Sequence, residues 1–133
     1  METIVKGMEG VKEAAEIIRR GGLVAFPTET VYGLGGNALD PEASRKIYAA
    51  KGRPSDNPLI VHVSCIEEVP PLVSAFPAAA RKLMEAFWPG PLTIVMPKAG
   101  CVPYETTGGL ETVAIRCPEN RVTLAFIKEA GVP

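Results

Sequence analysis

The 133-residue chain has few of the residues that build metal sites, disulfides or membrane spans. It contains one histidine, one tryptophan and three cysteines. Cys65, Cys101 and Cys117 lie far apart and form no Cys-x-x-Cys pair, so zinc is not indicated, and their odd number is typical of reduced thiols. No apolar run approaches the roughly 20 residues of a membrane span. The N-terminus does not resemble a secretory signal, so we expect a cytoplasmic protein without a membrane partner.

The charge of the chain is nearly balanced, which argues against one broad class of partner. Lysine and arginine total 14, aspartate and glutamate total 15, and the formal net charge is -1. Nothing in this balance favours nucleic acid or an anionic membrane, so any anion site must be local. Hydrophobic residues make up 47% of the sequence, which argues against disorder, and the length indicates one domain over residues 1–133.

Hydrophobic patterns alternate between helices and short apolar strands. The predicted strands are LVAFPT (23–28), LIVHVS (59–64), LTIVMPK (92–98) and TVAIRCP (112–118). The predicted helices are VKEAAEIIRR (11–20), ASRKIYAAK (43–51), AAARKLMEAFW (78–88) and VTLAFIKEAG (122–131). This alternation predicts an α/β fold around a parallel or mixed sheet, because the strands look covered on both faces. Ligands of such sheets usually bind beyond the strand ends.

Local signals predict helix ends and helix faces. Asp40 followed by Pro41 is typical of a helix N-cap with proline at the first helical position. In the third predicted helix, we expect Leu83, Met84 and Phe87 to share one apolar face.

The segment KGRPSDNPLIVH, residues 51–62, places cations and the only histidine of the chain at the start of an apolar strand. Lys51 and Arg53 are two positions apart beside a glycine, so both can reach one anion. Asn57 adds uncharged donors and an acceptor. His62 lies inside the strand and cannot simply be solvated. It is either a core histidine bonded to the backbone or part of a site with these cations.

Two further segments carry polar groups at strand positions. FPTETVYGLGGNA, residues 26–38, combines hydroxyls and glycines after a strand, which suits either a ligand site or a turn rich in serine and threonine. It lacks the GxxxxGK[ST] and GxGxxG spacings of nucleotide-binding loops. In TVAIRCP, Thr112, Ala114 and Arg116 share one strand face. Arg116 therefore either pairs with a carboxylate or faces a cleft and binds an anion.

The segment FWPGPLTIV, residues 87–95, and the remaining polar residues limit the chemistry. We interpret Trp88 as part of a structural corner, with ligand stacking as the alternative. The sequence shows no metal-ligand cluster and no serine or cysteine nucleophile paired with a base. Hydroxyls, cations, one amide and one imidazole remain. They indicate positioning and electrostatic chemistry, as in phosphoryl or nucleotidyl transfer.

Four motifs in this order, PTETVYGLG, AKGRPSDNPLIVH, FWPGPLTIV and TVAIRCP, resemble the YrdC-like family of threonylcarbamoyl-adenylate synthases. The resemblance covers almost the whole chain. It implies a single domain with a twisted, open, mixed sheet and flanking helices. It also implies a nucleotidyltransferase that converts L-threonine, bicarbonate or carbon dioxide, and ATP into threonylcarbamoyl-AMP and pyrophosphate. A partner transferase would then move the threonylcarbamoyl group to a tRNA adenosine, forming t6A.

The resemblance implies roles for individual residues. The residues implied for L-threonine are Thr30, His62 and Arg116. The residues implied for ATP and its phosphates are Lys51, Arg53, Asn57 and Thr112, with Lys51 and Arg53 also implied as catalytic. We expect Mg²⁺ to arrive with ATP and expect no metal bound by the protein itself.

Members of this family usually continue into a Ser-Ala-Asn motif that lines the nucleotide site, whereas this sequence ends at Pro133. We therefore expect an incomplete domain whose own activity is partial or absent. One alternative function is that of the YrdC-like domain in a hydrogenase-maturation carbamoyltransferase, which would form a carbamoyl-adenylate from carbamoyl phosphate. Another is a module that binds double-stranded RNA or tRNA weakly and with steep salt dependence.

Overall fold

The computed structural model describes residues 8–28 and 32–133. The helices in this part are α1 (Val11–Arg19), α2 (Pro41–Lys51), α3 (Ala78–Phe87), α4 (Tyr104–Thr107) and α5 (Arg121–Ala130). The strands are β1 (Val24–Pro27), β2 (Tyr32–Gly35), β3 (Ile60–His62), β4 (Thr93–Pro97) and β5 (Thr112–Arg116). Short 3-10 turns occupy Met8–Gly10, Ile66–Glu68 and Pro70–Leu72. The predicted order of helices and strands is confirmed, and β2 and α4 are added in segments predicted to be loops.

Helix α2 begins and ends as the sequence predicts. The Asp40 carboxylate accepts a hydrogen bond from a backbone N–H of the first turn at 3.0 Å, and Pro41 starts the helix. Gly52 ends the helix with a φ of 62°, in the left-handed region that glycine adopts without steric cost. This end is important because it brings Lys51, and Arg53 two residues later, to one side of the molecule.

The described strands are divided between two sheets. Strands β1 and β2 form an antiparallel ribbon. Strands β3, β5 and β4 form a three-stranded sheet in that spatial order, with β3 parallel and β4 antiparallel to β5. The expected mixed α/β architecture is therefore confirmed. The register places Arg116 beside His62 on one side and beside Thr93 on the other.

One face of the three-stranded sheet is buried in the larger of two cores. Val61, Val113 and Ile115 point into this core, and each is at most 2% exposed. They pack with Met84 of α3 and Met96 of β4. Because successive residues of a strand point to opposite faces, their neighbours in sequence must lie on the other side of the sheet.

The opposite face of this sheet is open. His62, Ala114 and Arg116 lie on it and are half-buried. Ile60 and Val95, which flank Ala114 in the register, are 47% and 61% exposed. A partly covered face with an imidazole and a guanidinium side by side is the first structural indication of a site.

Helix α3 packs through a narrower face than the sequence suggests. Met84 is fully buried, whereas Leu83 and Phe87 are 44% and 59% exposed. The expectation that the three side chains act as one apolar face is therefore corrected. Helical periodicity identifies an arc of apolar residues, but the sheet covers only the side of this arc that carries Met84.

A second, smaller core joins α1, β1 and α5. It contains Ala15 and Ile18, Phe26, and Phe126 with Ala130. Members of this core also line the cleft described below. No helix in the described part of the chain has the length and apolar character needed to cross a membrane.

Candidate functional site

A cleft of about 320 Å³ is shared by the open face of the three-stranded sheet, the β1–β2 ribbon and helices α2 and α5. No single segment forms it, because its wall combines residues from both ends of the chain. Its described lining residues are Ile18, Phe26, Thr28, Gly33, Leu34, Gly35, Gly36, Ala38, Ser44, Ile47, Lys51, Arg53, Pro58, Leu59, Ile60, Val61, His62, Thr106, Arg116, Phe126, Ile127, Ala130, Val132 and Pro133.

The charged groups among the described lining residues are all positive. Lys51, Arg53 and Arg116 contribute the cations, and none of these lining residues is aspartate or glutamate. Positive groups in a partly enclosed space of low dielectric attract anions more strongly than the same groups on an open surface. The cleft is therefore suited to a ligand with carboxylate or phosphate groups. This agrees with the expectation that any anion site must be local.

Arg53 is fixed by the loop that carries it. Its backbone N–H donates to the Tyr48 carbonyl at 3.0 Å, and its Nη2 donates to the Pro58 carbonyl at 2.6 Å. The Arg53 Nε and the Tyr48 hydroxyl are buried without a hydrogen-bond partner among the described residues. Burial raises the pKa of Tyr48, and the nearby charge of Arg53 opposes that rise. The guanidinium is thus anchored at one edge of the cleft.

His62 lies beside Arg116 and meets the ring of Phe26 edge-on, with ring centroids 5.3 Å apart. Its Nδ1 lies 3.2 Å from the Ile60 carbonyl oxygen, so we assign the proton to Nδ1 and leave Nε2 as an acceptor. Nε2 is buried and has no partner within residues 8–28 and 32–133. Burial lowers the pKa of His62, and the Ile60 hydrogen bond offsets this only in part. The imidazole is therefore neutral near neutral pH.

The sequence left two interpretations of His62, a core histidine bonded to the backbone and a site residue beside the cations. Each interpretation fits one of its ring nitrogens. Nδ1 is satisfied by the backbone, as expected of a core histidine. Nε2 carries a buried lone pair in the wall of a cleft with three cations, as expected of a site residue. A buried acceptor without a partner is costly, so a ligand that donates a hydrogen bond here would gain affinity.

Arg116 occupies the central strand and is held by the turn that precedes β4. Its Nε donates to the Gly90 carbonyl at 3.2 Å. The N–H of Gly90 in turn donates to the Cys117 carbonyl at 2.9 Å. These two bonds attach the turn to the end of β5 and fix the inner part of the guanidinium.

Trp88 begins this turn. Its indole N–H donates to the Leu92 carbonyl at 2.8 Å, and its ring packs against the larger core. The Trp88–Pro89 peptide bond is cis. Trp88 is not among the described residues that line the cleft, which supports the interpretation of a structural corner over ligand stacking.

Two further predicted site residues, Asn57 and Thr112, do not line the cleft in the described part of the chain. Asn57 is exposed in the loop before β3, where its N–H donates to the Pro54 carbonyl at 3.1 Å. Thr112 is the first residue of β5, lies opposite Pro97 and is half-buried. Neither lines the cleft. Thr30 lies outside the described residues. The assignments of these three residues stay predictions.

Two hydroxyls in the cleft wall were not predicted from the sequence. Ser44 and Thr106 both line the cleft, and their oxygens lie 2.7 Å apart although the residues are 62 positions apart in the chain. Their contact depends on how α2 packs against α4, which no local pattern reports. Each residue alone is typical of a helix surface or a turn.

Two glycines of β2 make room for an aromatic ring. A Cβ on Gly35 would lie 2.6 Å from Cε1 of Phe26, and a Cβ on Gly33 would lie 3.0 Å from its Cζ. The sequence left open whether this segment is a ligand site or a turn. The structure gives the two glycines a packing role beside their place in the cleft wall, because the ring that they admit is the one that contacts His62.

Comparisons with known proteins agree on one family. The Sua5/YciO/YrdC family model, described as telomere recombination, matches residues 16–133. The threonylcarbamoyl-AMP synthase of Bacillus subtilis is 52% identical over 124 residues, covering 92% of this chain and 36% of that protein. The threonylcarbamoyl-AMP synthase of Pyrococcus abyssi is 50% identical over 138 residues, covering 100% of this chain and 41% of that protein.

A solved structure supports the fold. The structure of P. abyssi Sua5 complexed with L-threonine matches this chain with a TM-score of 0.92 at 50% identity, covering 99% of this chain and 38% of that one. The predicted α/β fold is therefore confirmed by a known structure. The chain spans 36% to 41% of the length of these relatives.

Proposed function

Because the chain belongs to the Sua5/YciO/YrdC family, as its motifs predicted, we propose that it forms the part of a threonylcarbamoyl-AMP synthase that binds L-threonine beside the phosphates of ATP. The observation that carries this proposal is one cleft with His62 and Arg116 on adjacent strands and Lys51 and Arg53 in the same wall. The complete protein would be a nucleotidyltransferase whose product serves tRNA t6A formation.

The amino-acid side of the proposed site consists of strand residues. The Arg116 guanidinium is suited to the carboxylate of L-threonine, because its fork can form two parallel hydrogen bonds. The buried lone pair of His62 Nε2 is suited to the N–H groups of the substrate amine. The neighbouring positions of the two residues match the short separation of these groups in an amino acid. Thr30 is proposed as a third contact.

The nucleotide side consists of residues at a helix end and in a loop. Lys51 and Arg53 would hold the phosphates and stabilise the charge that develops on the pyrophosphate leaving group. Asn57 and Thr112 are proposed as further ATP contacts. Mg²⁺ would enter bound to the phosphates of ATP and screen their charge.

The proposed reaction has two steps. The neutral amine of L-threonine attacks carbon dioxide, forms a carbamate and releases one proton to solvent. A carbamate oxygen then bonds to the α-phosphorus while the bond to the bridging oxygen of the β-phosphate breaks, so that pyrophosphate leaves. A cleft that excluded water would favour the neutral amine that the first step needs. His62, itself neutral, adds no positive charge that would repel the ammonium form on entry.

The test of this function is ATP–pyrophosphate exchange, measured on this chain and on a full-length relative with and without L-threonine and bicarbonate. We expect exchange in the relative only when both are present, and L-threonine binding by this chain in calorimetry. D-threonine is the matched control. Exchange that requires neither substrate would refute the proposal. Exchange supported by carbamoyl phosphate instead would assign the reaction of the hydrogenase-maturation enzymes.

A further inference from the structure

The short helix α4 contacts the loop that carries Arg53, although it lies outside the motifs identified in the sequence. The Thr106 carbonyl accepts a hydrogen bond from the Leu59 N–H at 3.0 Å, immediately before β3. On its other side, the Thr106 hydroxyl donates to the Ala38 carbonyl at 2.6 Å and meets the Ser44 hydroxyl at 2.7 Å. Thr106 is 1% exposed. It thus joins three segments of the cleft wall.

Gly108, which ends α4, lies directly against the same loop. Its φ is 64°, and a Cβ placed there would lie 2.9 Å from the Asp56 carbonyl oxygen and 3.0 Å from the backbone nitrogen of Pro58. Real Cβ atoms essentially never lie closer than 3.0 Å to another heavy atom, so the contact with the Asp56 carbonyl oxygen would require one of the two segments to shift. Any side chain at position 108 would therefore move α4 and residues 56–58 apart.

This contact reaches Arg53 through one further bond. The Nη2 of Arg53 donates to the Pro58 carbonyl at 2.6 Å, so the residue against which Gly108 packs also anchors the guanidinium. His62 and Arg116 are held differently, by the parallel pairing of β3 with β5. A displacement of residues 56–58 would therefore move the Arg53 guanidinium before it disturbs His62 and Arg116.

We infer that α4 and Gly108 position the loop that carries Arg53, residues 52–58, so that Gly108 determines how Arg53 meets the phosphates without touching them. The inference rests on the proposed function for its ligand, and Gly108 is a positioning residue, not a catalytic one. The absence of a side chain at Gly108 allows the loop to pack closely against α4. The close approach between α4 and the loop then defines the position of the Pro58 carbonyl.

The chain offers a matched control in the next residue. Gly109 also has a positive φ, 84°, so an alanine there carries backbone strain of the same kind. A Cβ on Gly109 would have no atom within 4 Å. A difference in the effects of Gly108→Ala and Gly109→Ala therefore reports the steric contact with residues 56–58, separately from the strain of an alanine at positive φ.

The first measurement needs no ligand. Amide hydrogen exchange of Leu59, which donates to Thr106, reports whether the loop and α4 stay together. We expect exchange about tenfold faster in Gly108→Ala than in Gly109→Ala, since a hydrogen bond of about 1.4 kcal/mol corresponds to a factor of ten. Equal exchange rates in the two variants would overturn the inference.

The second measurement is calorimetric binding of ATP, with tripolyphosphate as a probe without a base, and of L-threonine. We expect Gly108→Ala to raise the Kd of both phosphate ligands about tenfold and to leave the Kd of L-threonine unchanged. Equal loss of all ligands would indicate general disruption and would contradict a positioning role. If the unmodified chain binds none of these ligands, the proposed function fails. The comparison of Leu59 amide hydrogen exchange in the two variants then decides the role of Gly108 alone.

Discussion

Replacing Thr106 by valine tests the buried hydroxyl chain in the cleft wall. The Thr106 hydroxyl donates its only proton to the Ala38 carbonyl at 2.6 Å. The 2.7 Å contact with Ser44 must therefore have Ser44 as the donor. Both side chains are 1% exposed, so water reaches neither hydroxyl in the folded protein. Valine keeps the shape of threonine and removes both the donor and the acceptor.

The structure predicts that the loss of the Thr106 hydroxyl lowers the free energy of unfolding more than the loss of the Ser44 hydroxyl. Thr106→Val leaves the Ala38 carbonyl and the Ser44 hydroxyl without partners, and we expect a loss of about 2 to 3 kcal/mol in the free energy of unfolding. Ser44→Ala leaves Thr106 bonded to Ala38 and should cost about 1 kcal/mol. The double variant also removes the Ser44 hydroxyl that Thr106→Val leaves without a partner, so it should be no less stable than Thr106→Val. The coupling free energy between the two substitutions should be about 1 kcal/mol.

The assay is urea unfolding followed by the fluorescence of Trp88, the single tryptophan of the chain. Free energies are compared only where the slopes against urea agree, because a changed slope would mean a changed denatured or native state. Thr106→Ser is the control, since it keeps the hydroxyl and loses one methyl group. The assignment of Ser44 as donor to Thr106, and of Thr106 as donor to Ala38, would be refuted by either of two results. One is strict additivity of the two losses in unfolding free energy, and the other is an equal loss in Ser44→Ala and Thr106→Val.

Three further predictions follow from the cleft and the thiols. Arg116→Ala should weaken L-threonine binding more than ATP binding, and Lys51→Ala should do the opposite; the reverse pattern in calorimetry would contradict the division of the cleft. Because burial lowers the pKa of His62 below its ordinary 6.5, the folded chain releases this proton more readily than the unfolded chain. Stability should therefore fall as pH decreases through and below 6.5, and His62→Gln should lack that component in thermal unfolding. Burial raises the pKa of Cys117 to about 11, so iodoacetamide at mildly alkaline pH should label exposed Cys101 and spare Cys117, as mass spectrometry of the peptides would show.

Much of the fold is predictable from local patterns, because caps and apolar periods act over a few residues. The N-cap at Asp40 and the alternation of Val113 and Ile115 with Arg116 are examples. Strand order is not predictable in this way. Strand β5 lies between β3 and β4 although it follows both in sequence, and this order depends on the long-range packing of the core.

The same limit applies to the site. His62 and Arg116 were identified because polar residues in apolar strands are conspicuous, and their contact follows from a register that sequence does not display. Strand β2 was missed because glycines favour a turn when only propensity is considered. Its conformation is decided by pairing with β1 and by the space that the Phe26 ring requires at Gly35.

The two sides of the cleft are held by structures of different strength, which has a measurable consequence. His62 and Arg116 belong to paired strands above the larger core, whereas Arg53 belongs to a largely exposed loop that depends on its contact with Gly108. Exposed loops open with smaller free energies than core strands. Urea concentrations below the global transition should therefore weaken tripolyphosphate binding before they weaken L-threonine binding. Parallel loss of both affinities at every concentration would show instead that the cleft opens as one unit.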